Sequence, residues 1–195
     1  GSLTIASGGT YNATSGTTSL LNEAGGRAFK NEGTFTHNKG KIKVDFNIAD
    51  HTAHTMVTAN SSGDTFYDVE IDMNAATHDV EFENDITILG DLTVTQGELE
   101  FENVDDVLVV HGLTNITANG KFNDRALQTG GSHTFHGLIT NLGTFKTDPI
   151  TTNMNGGIRN LGTFTSADTL TINGSGGILE GNLDDAIINV NLDPV

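Results

Sequence analysis

The chain has 195 residues, no cysteine, and 25 acidic against 9 basic side chains, for a formal charge of −16. That balance argues against binding a nucleic-acid backbone, which needs a basic face, and against docking on an anionic membrane. Without thiols there is no disulfide and no thiolate metal site. Of the aromatic residues 10 are Phe and 2 are Tyr; with 24 Gly and only 2 Pro, the composition predicts many short strands divided by turns.

The chain opens with SLTIASGG at 2–9. Leu3 and Ile5 are separated by one Thr, the period-two pattern of a strand with one buried face. A Gly-rich turn and a second short strand, GTYNAT, follow. FKNEGTFTHN at 29–38 places Phe29 and Phe35 on either side of an Asn-x-Gly corner, where Asn and Gly tolerate positive φ. In KGKIKV at 39–44, Ile42 and Val44 alternate with Lys39, Lys41 and Lys43. HTAHTMVTANSSGD at 51–64 reads as a loop bulging from the regular part.

Three acidic segments come next, DVEID, DVEFEND and ELEFEN. In them Val69/Ile71, Val80/Phe82 and Leu99/Phe101 alternate with Asp68, Glu70 and Asp72, with Asp79, Glu81 and Glu83, and with Glu98, Glu100 and Glu102. The Leu-Thr-Ile/Val phrase recurs in DLTVTQG (Leu92, Val94) and in TLTINGSGG (Leu170, Ile172). Asn-Leu-Gly-Thr-Phe occurs at 141–145 and again at 160–164, an offset of 160 − 141 = 19 residues. Ile139, Leu142 and Phe145 match Ile158, Leu161 and Phe164.

Repetition at such a short interval is the mark of a solenoid, in which like residues stack on like. The sequence therefore predicts an all-β protein, a right-handed parallel β-helix of short coils over residues 1–195 as a single domain; the alternative is an antiparallel β-sandwich. Coils of ~19–25 residues would stack Phe35, Phe145, Phe164, Ile139, Ile158, Leu92, Val94, Leu170 and Ile172 in the core. No capping helix is legible at either end, which points to a segment of a longer rod or to ends covered by partners.

If the apolar set faces inward, all nine carboxylates point outward and neighbouring coils bring them ~5 Å apart. Three readings follow: a solvated face that keeps a β-rich rod soluble, relief by the adjacent lysine strand, or uptake of Ca²⁺ or Mg²⁺ through oxygen ligands. No other cofactor is expected. The His-x-x-His pairs, His51/His54 and His133/His136, suit one metal poorly on a strand, because i and i+3 point to opposite faces; turn or surface positions are expected for them. No catalytic residue is expected: there is no His-Glu-x-x-His, no nucleophile elbow and no P-loop lysine.

The phrases GSLTIASGGTYNATSGTT, NEGTFTHNKGKIKV and DTFYDVEID with NDITILGDLTVTQGELE resemble repetitive β-rich segments in structural and fibre-like proteins of marine bacteriophages; similar segments occur in large bacterial surface adhesins. The resemblance covers about residues 1–145. It implies an extended β scaffold and a virion or cell-surface location, and it carries no catalytic residues. The expectation is thus a non-enzymatic structural or attachment module of a virion, such as a fibre, spike or decoration rod. Its partners would be other virion or surface proteins, or further copies in a trimer, with no nucleic acid and no membrane. The alternatives are a surface adhesin or passenger domain binding a host glycan, and a polysaccharide-degrading tailspike.

Overall fold

The computed structural model is a parallel β-solenoid, with no helix among the described residues. It describes residues 1–21, 26–46, 55–101, 105–124, 130–147, 151–166, 169–173, 178–183 and 187–191. The first windings carry β1 (Leu3–Ile5), β2 (Thr10–Asn12) and β3 (Thr17–Leu20), then β4 (Arg27–Asn31), β5 (Thr34–Thr36) and β6 (Lys41–Phe46). Next come β7 (Thr55–Thr58), β8 (Asp64–Phe66) and β9 (Asp68–Met73), then β10 (Asp79–Glu83), β11 (Ile86–Ile88) and β12 (Leu92–Phe101). They are followed by β13 (Val107–Val110), β14 (Thr114–Asp124), β15 (Ser132–Phe135) and β16 (Ile139–Asn141). The last are β17 (Thr144–Thr147), β18 (Thr151–Met154), β19 (Gly157–Asn160), β20 (Thr163–Ser166), β21 (Thr169–Asn173), β22 (Ile178–Gly181) and β23 (Ile187–Asn191).

These strands form three faces, and every pairing among the described residues is parallel, which rules out the sandwich. Face one stacks β1, β4, β7, β10, the second halves of β12 and β14, β17 and β20. Face two stacks β8, β11, β13, β15, β18, β21 and β23, with β2 and β5 at its N-terminal end. Face three stacks β3, β6, β9, the first halves of β12 and β14, β16, β19 and β22.

β12 and β14 run unbroken through the corner between faces three and one. The register slips between Val94 and Gln96, and Gly97 takes a φ of 98°. A Cβ there would lie 2.7 Å from Met73 Cγ and 2.8 Å from the His78 carbonyl, so only Gly turns this corner without strain.

The Asn-Leu-Gly-Thr-Phe repeat spans one winding. Ile139 lies on Ile158, Asn141 on Asn160 and Phe145 on Phe164. Asn141 Nδ2 donates to Asn160 Oδ1 at 2.7 Å, while Asn141 Oδ1 accepts from Gly143 N at 3.1 Å, so this Asn both closes its own turn and ties to the next winding. The rings of Phe122, Phe145 and Phe164 stack nearly parallel, with centroids 4.8 and 5.6 Å apart. Leu142 and Leu161, the middle apolar residues of the phrase, point outward at 48% and 61% exposure: the Asn, not the Leu, occupies the inward place.

Of the expected core, Phe145, Phe164, Ile139, Ile158, Leu92, Val94, Leu170 and Ile172 are buried. Phe35 is only half-buried and does not share the Phe145 column. It sits on β5 of face two, against Tyr11, Phe29 and Phe66, because its Asn-x-Gly corner joins faces one and two rather than three and one. The Leu-Thr-Ile/Val phrase likewise falls on face one (Leu3, Ile5), face three (Leu92, Val94) and face two (Leu170, Ile172). Residues 51–54 of the expected loop lie outside the described residues. Residues 55–58 are β7, a regular strand between β4 and β10.

The interior is not apolar throughout. On face one, Phe82 and Phe101 are followed in the same inward column by Asp124; Thr147 and Ser166, a buried pair with hydroxyls 3.1 Å apart, lie in the next windings. Asp124 faces His133 of β15, Nε2 to Oδ2 3.3 Å, and neither side chain is exposed. Phe101 and Phe122 wall the imidazole, with centroids 4.6 and 5.3 Å away. His133 is therefore a core residue, against the expectation of a turn or surface position.

Replacing Phe145 with Ala should cost ~3–5 kcal/mol in urea denaturation, through lost transfer energy and the cavity between two rings. An unchanged midpoint would contradict its inward place. His133→Leu alone strands the Asp124 carboxylate in the core and should cost ~3–5 kcal/mol, whereas adding Asp124→Leu should recover most of the loss. The same denaturation series reads both.

Candidate functional site

The nine carboxylates do not form one face. Asp68, Glu70 and Asp72 are on β9 of face three, while Asp79, Glu81 and Glu83 (β10) and Glu98 and Glu100 (β12) are on face one. Glu102 lies outside the described residues. Local alternation places each side chain in or out, but the length of each winding decides which face a strand joins.

Two of the three β9 carboxylates, Glu70 and Asp72, are ion-paired with the lysine strand. β6 pairs with β9 so that Lys41 opposes Asp68 and Lys43 opposes Glu70. Each ammonium reaches one residue pair along: Lys41 Nζ lies 2.7 Å from Glu70 Oε2, and Lys43 Nζ 2.6 Å from Asp72 Oδ2. The hydrogen bond to Asp72, with the charges of Asp72 and Asp45, holds the Lys43 ammonium above its ordinary range against the opposing effect of burial. Asp68 also ties one winding to the next. Its Oδ1 accepts from Asp91 N at 2.8 Å, and one winding on Asp91 Oδ1 accepts from Leu113 N at 2.8 Å. These two aspartates fasten the corner between faces two and three.

The face-one group is different. Asp79 opposes Glu98 and Glu81 opposes Glu100 across adjacent strands. One carboxylate oxygen from each of Asp79, Glu81 and Glu100 lies within 4.8 Å of the others. Glu81 is fully buried and Glu100 is 4% exposed, so the reading of a solvated acidic face fails for these two.

Their neighbours draw charge away from the cluster on both sides. Glu83 accepts from Thr58 Oγ1 at 2.5 Å and lies 3.7 Å from Arg27. Glu98 is 3.1 Å from Lys121 Nζ and accepts from Asn123 Nδ2, which also reaches Glu100 Oε1 at 3.4 Å. Burial pushes Glu98 up, but hydrogen bonds from Glu100, Asn123 and Lys121 outweigh it and hold Glu98 below the usual carboxylate range. A bond between two carboxyl groups needs one proton between them. Like charges this close ionise together only with a counter-charge, so the set suits protons or a hard, oxygen-seeking cation such as Ca²⁺ or Mg²⁺.

A shallow cavity of about 370 Å³ crosses the corner between faces one and two, lined by Ser7, Lys30, Glu32, Thr58, Asn60 and Asn84 among others. The Lys30 ammonium pairs with Glu32 at 2.5 Å. Beside this cavity, Asp64 accepts from Asn31 Nδ2 at 2.7 Å and from Asn60 N at 2.8 Å, and burial pushes its carboxyl up against those bonds.

The histidines fall where local pattern gave no guide. His51 and His54 lie outside the described residues. His133 and His136 point in opposite directions, as strand geometry requires, so they cannot share one ion. His136 instead joins a ridge. Tyr67, Leu89, His111, His136 and Asn155 each follow a face-two strand by one residue and share one column, with His37 one winding earlier after β5. His37 stacks on Tyr67 (centroids 5.8 Å, 21°), and His111 on His136 (4.7 Å, 9°). The usable signal is the triplet His-Gly-Leu at 111–113 and again at 136–138.

The Glu98 environment contributes to the acid limb of stability. A depressed carboxyl contributes stability above its unfolded value, near pH 4.3, and loses it as pH falls through the folded value. Glu98→Gln should therefore flatten the fall in melting temperature below about pH 4.3. An acid limb identical to that of the parent chain would contradict the hydrogen-bonded arrangement.

No protein-family model, curated protein or solved structure matches the chain.

Proposed function

We propose that the chain is a non-enzymatic structural or attachment module, a stiff β-solenoid rod on the outside of a virus particle or cell. The observation that carries this reading is the parallel stacking on all three faces, continuous along faces one and three. Eight strands follow one another on face three (β3, β6, β9, β12, β14, β16, β19, β22). At ~4.8 Å per strand that makes a rod of roughly 35 Å. Most of its interior is packed aromatic and aliphatic columns, and each fully buried apolar side chain contributes about 1.5–3 kcal/mol relative to exposure. The outward location rests on the resemblance of the sequence to phage and adhesin segments.

Cleavage of polysaccharide has less support. A glycosidase needs two carboxyls at a set separation in an open groove, and Glu81 and Glu100 are buried rather than exposed to one. Glycan binding is the second reading. It is favoured by the polar cavity beside Lys30 and Glu32, whose hydrogen-bonding side chains suit hydroxyl groups.

Gold-labelled antibodies against the chain should decorate the exterior of particles or cells that carry it; label confined to the interior overturns the reading. Incubation with neutral and acidic polysaccharides should release no reducing ends. Release that disappears in Glu81→Gln and Glu100→Gln would replace the structural reading with an enzymatic one.

A further inference from the structure

We propose that the later half of face three is a self-association surface, on which a second copy of this chain docks face to face. The large apolar side chains exposed among the described residues are Leu21, Leu89, Leu113, Leu142 and Leu161. All but Leu21 cluster on the later windings of face three or at its corner with face two. The described residues of face one expose none.

The parallel register arranges the leucines in two rails. Thr114 pairs with Ile139, so the residues just before them, Leu113 and Leu138, lie opposite each other at the corner with face two. Asn141 pairs with Asn160, so the residues just after them, Leu142 and Leu161, lie opposite each other at the corner with face one. Leu161 N donates to Asn141 O at 2.8 Å and holds that rail in place. Leu138 and Leu142 are four residues apart on one winding, so the rails run ~13 Å from each other. Between them the outward column is Asn115 and Thr140, with Arg159 beyond, its charge met by Glu180 at 2.6 Å.

The fold does not require leucine at these places. Alternation asks only for an outward residue, and the same column carries Thr117 one winding before Leu142. An outward leucine at the equivalent place in both copies of the phrase leaves apolar area in water, which a docked surface removes.

Charge selects the occupant. Each copy carries −16, so most pairs of surfaces repel. Residues 112–120 and 137–143 contain no Asp, Glu, Lys or Arg. The earlier windings of the same face carry Lys41, Lys43, Asp68, Glu70 and Asp72 instead. Two copies therefore meet on the later windings without bringing like charges together. The patch is also complementary to itself. A two-fold axis along the rod sets Leu138 of one copy over Leu142 of the other, at the ~10 Å spacing of packed sheets. Face three offers roughly 35 by 13 Å, about 450 Å² in projection per copy, with the leucine half as its apolar centre. That is below the ~800 Å² per partner of a standard stable interface. The dimer is accordingly reversible and forms when rods are crowded side by side. It is a property of the rod's surface and holds whether or not the rod is displayed on a particle.

Sedimentation equilibrium of the full chain from ~1 µM to ~1 mM tests the surface, and a monomer–dimer equilibrium with its dissociation constant inside that window is expected. Raising NaCl should tighten the dimer, because salt screens the repulsion between two acidic copies and leaves the apolar contact in place. Leu142→Thr/Leu161→Thr should weaken it at least ~10-fold, and so should Leu113→Thr/Leu138→Thr. Leu21→Thr, outside the patch, should leave it unchanged. Threonine suits an exposed strand position, so matching melting curves at low concentration identify folded variants. A monomer throughout the window, a dimer that loosens with salt, an assembly larger than a dimer, or a dimer indifferent to either leucine pair overturns the surface.

Discussion

The rest of the structure depends on the backbone hydrogen-bond ladder between windings. It holds each winding ~4.8 Å above the last and in parallel register. Every residue then meets its counterpart one winding away, whatever that counterpart is. Where the two are alike and apolar the outcome is favourable, as in the column Val80, Leu99, Phe122, Phe145, Phe164. Where they are alike and charged it is not, as with Asp79 on Glu98 and Glu81 on Glu100. The ladder that stiffens the rod also forces carboxylate onto carboxylate, so each acidic strand needs a remedy nearby.

Two remedies are visible. Face three places a lysine strand next to β9, and the pairs are diagonal: Lys41 with Glu70 and Lys43 with Asp72. Pairs of this exposed kind contribute little each, but they remove a repulsion. Face one has Lys121 and Asn123 beside Glu98 and Glu100, and no basic strand between β10 and β12. There the carboxyl groups share hydrogen bonds with one another. The two segments look alike in sequence, yet one is an ion-paired surface and the other a buried acidic cluster.

Corners impose the second constraint. Three faces require a sharp turn at each strand end, and successive corners stack as tightly as successive strands do. A Cβ on Gly143 would lie 2.1 Å from the Gly120 carbonyl oxygen. The Asn of Asn-x-Gly closes the turn with its own side chain and bonds to the next winding, so the motif works at any corner. This explains why one phrase serves corners between different faces. It also explains the change of interior in the later windings, where Asn141 and Asn160 continue the column of Ile71, Val94 and Ile116. An inward Asn is tolerated because its amide is bonded on both sides.

By itself the sequence determined the element type, the inward or outward sense of most side chains, and the stacking of the 19-residue copies. Those are local properties: period-two alternation, turn chemistry and the repeat of Ile139, Asn141 and Phe145 at Ile158, Asn160 and Phe164. Only the tertiary structure decided which windings meet on which face. Winding length varies: 57 − 29 = 28 residues separate Phe29 from Val57, but only 170 − 152 = 18 separate Thr152 from Leu170. A few residues more or less in a corner move the next strand out of line with its sequence look-alike. That is why Phe35 left the Phe145 column, why the acidic segments parted onto two faces, and why His136 found His111 rather than His133. Contact between windings is set by the summed lengths of the turns between them, and no single stretch of sequence contains that sum.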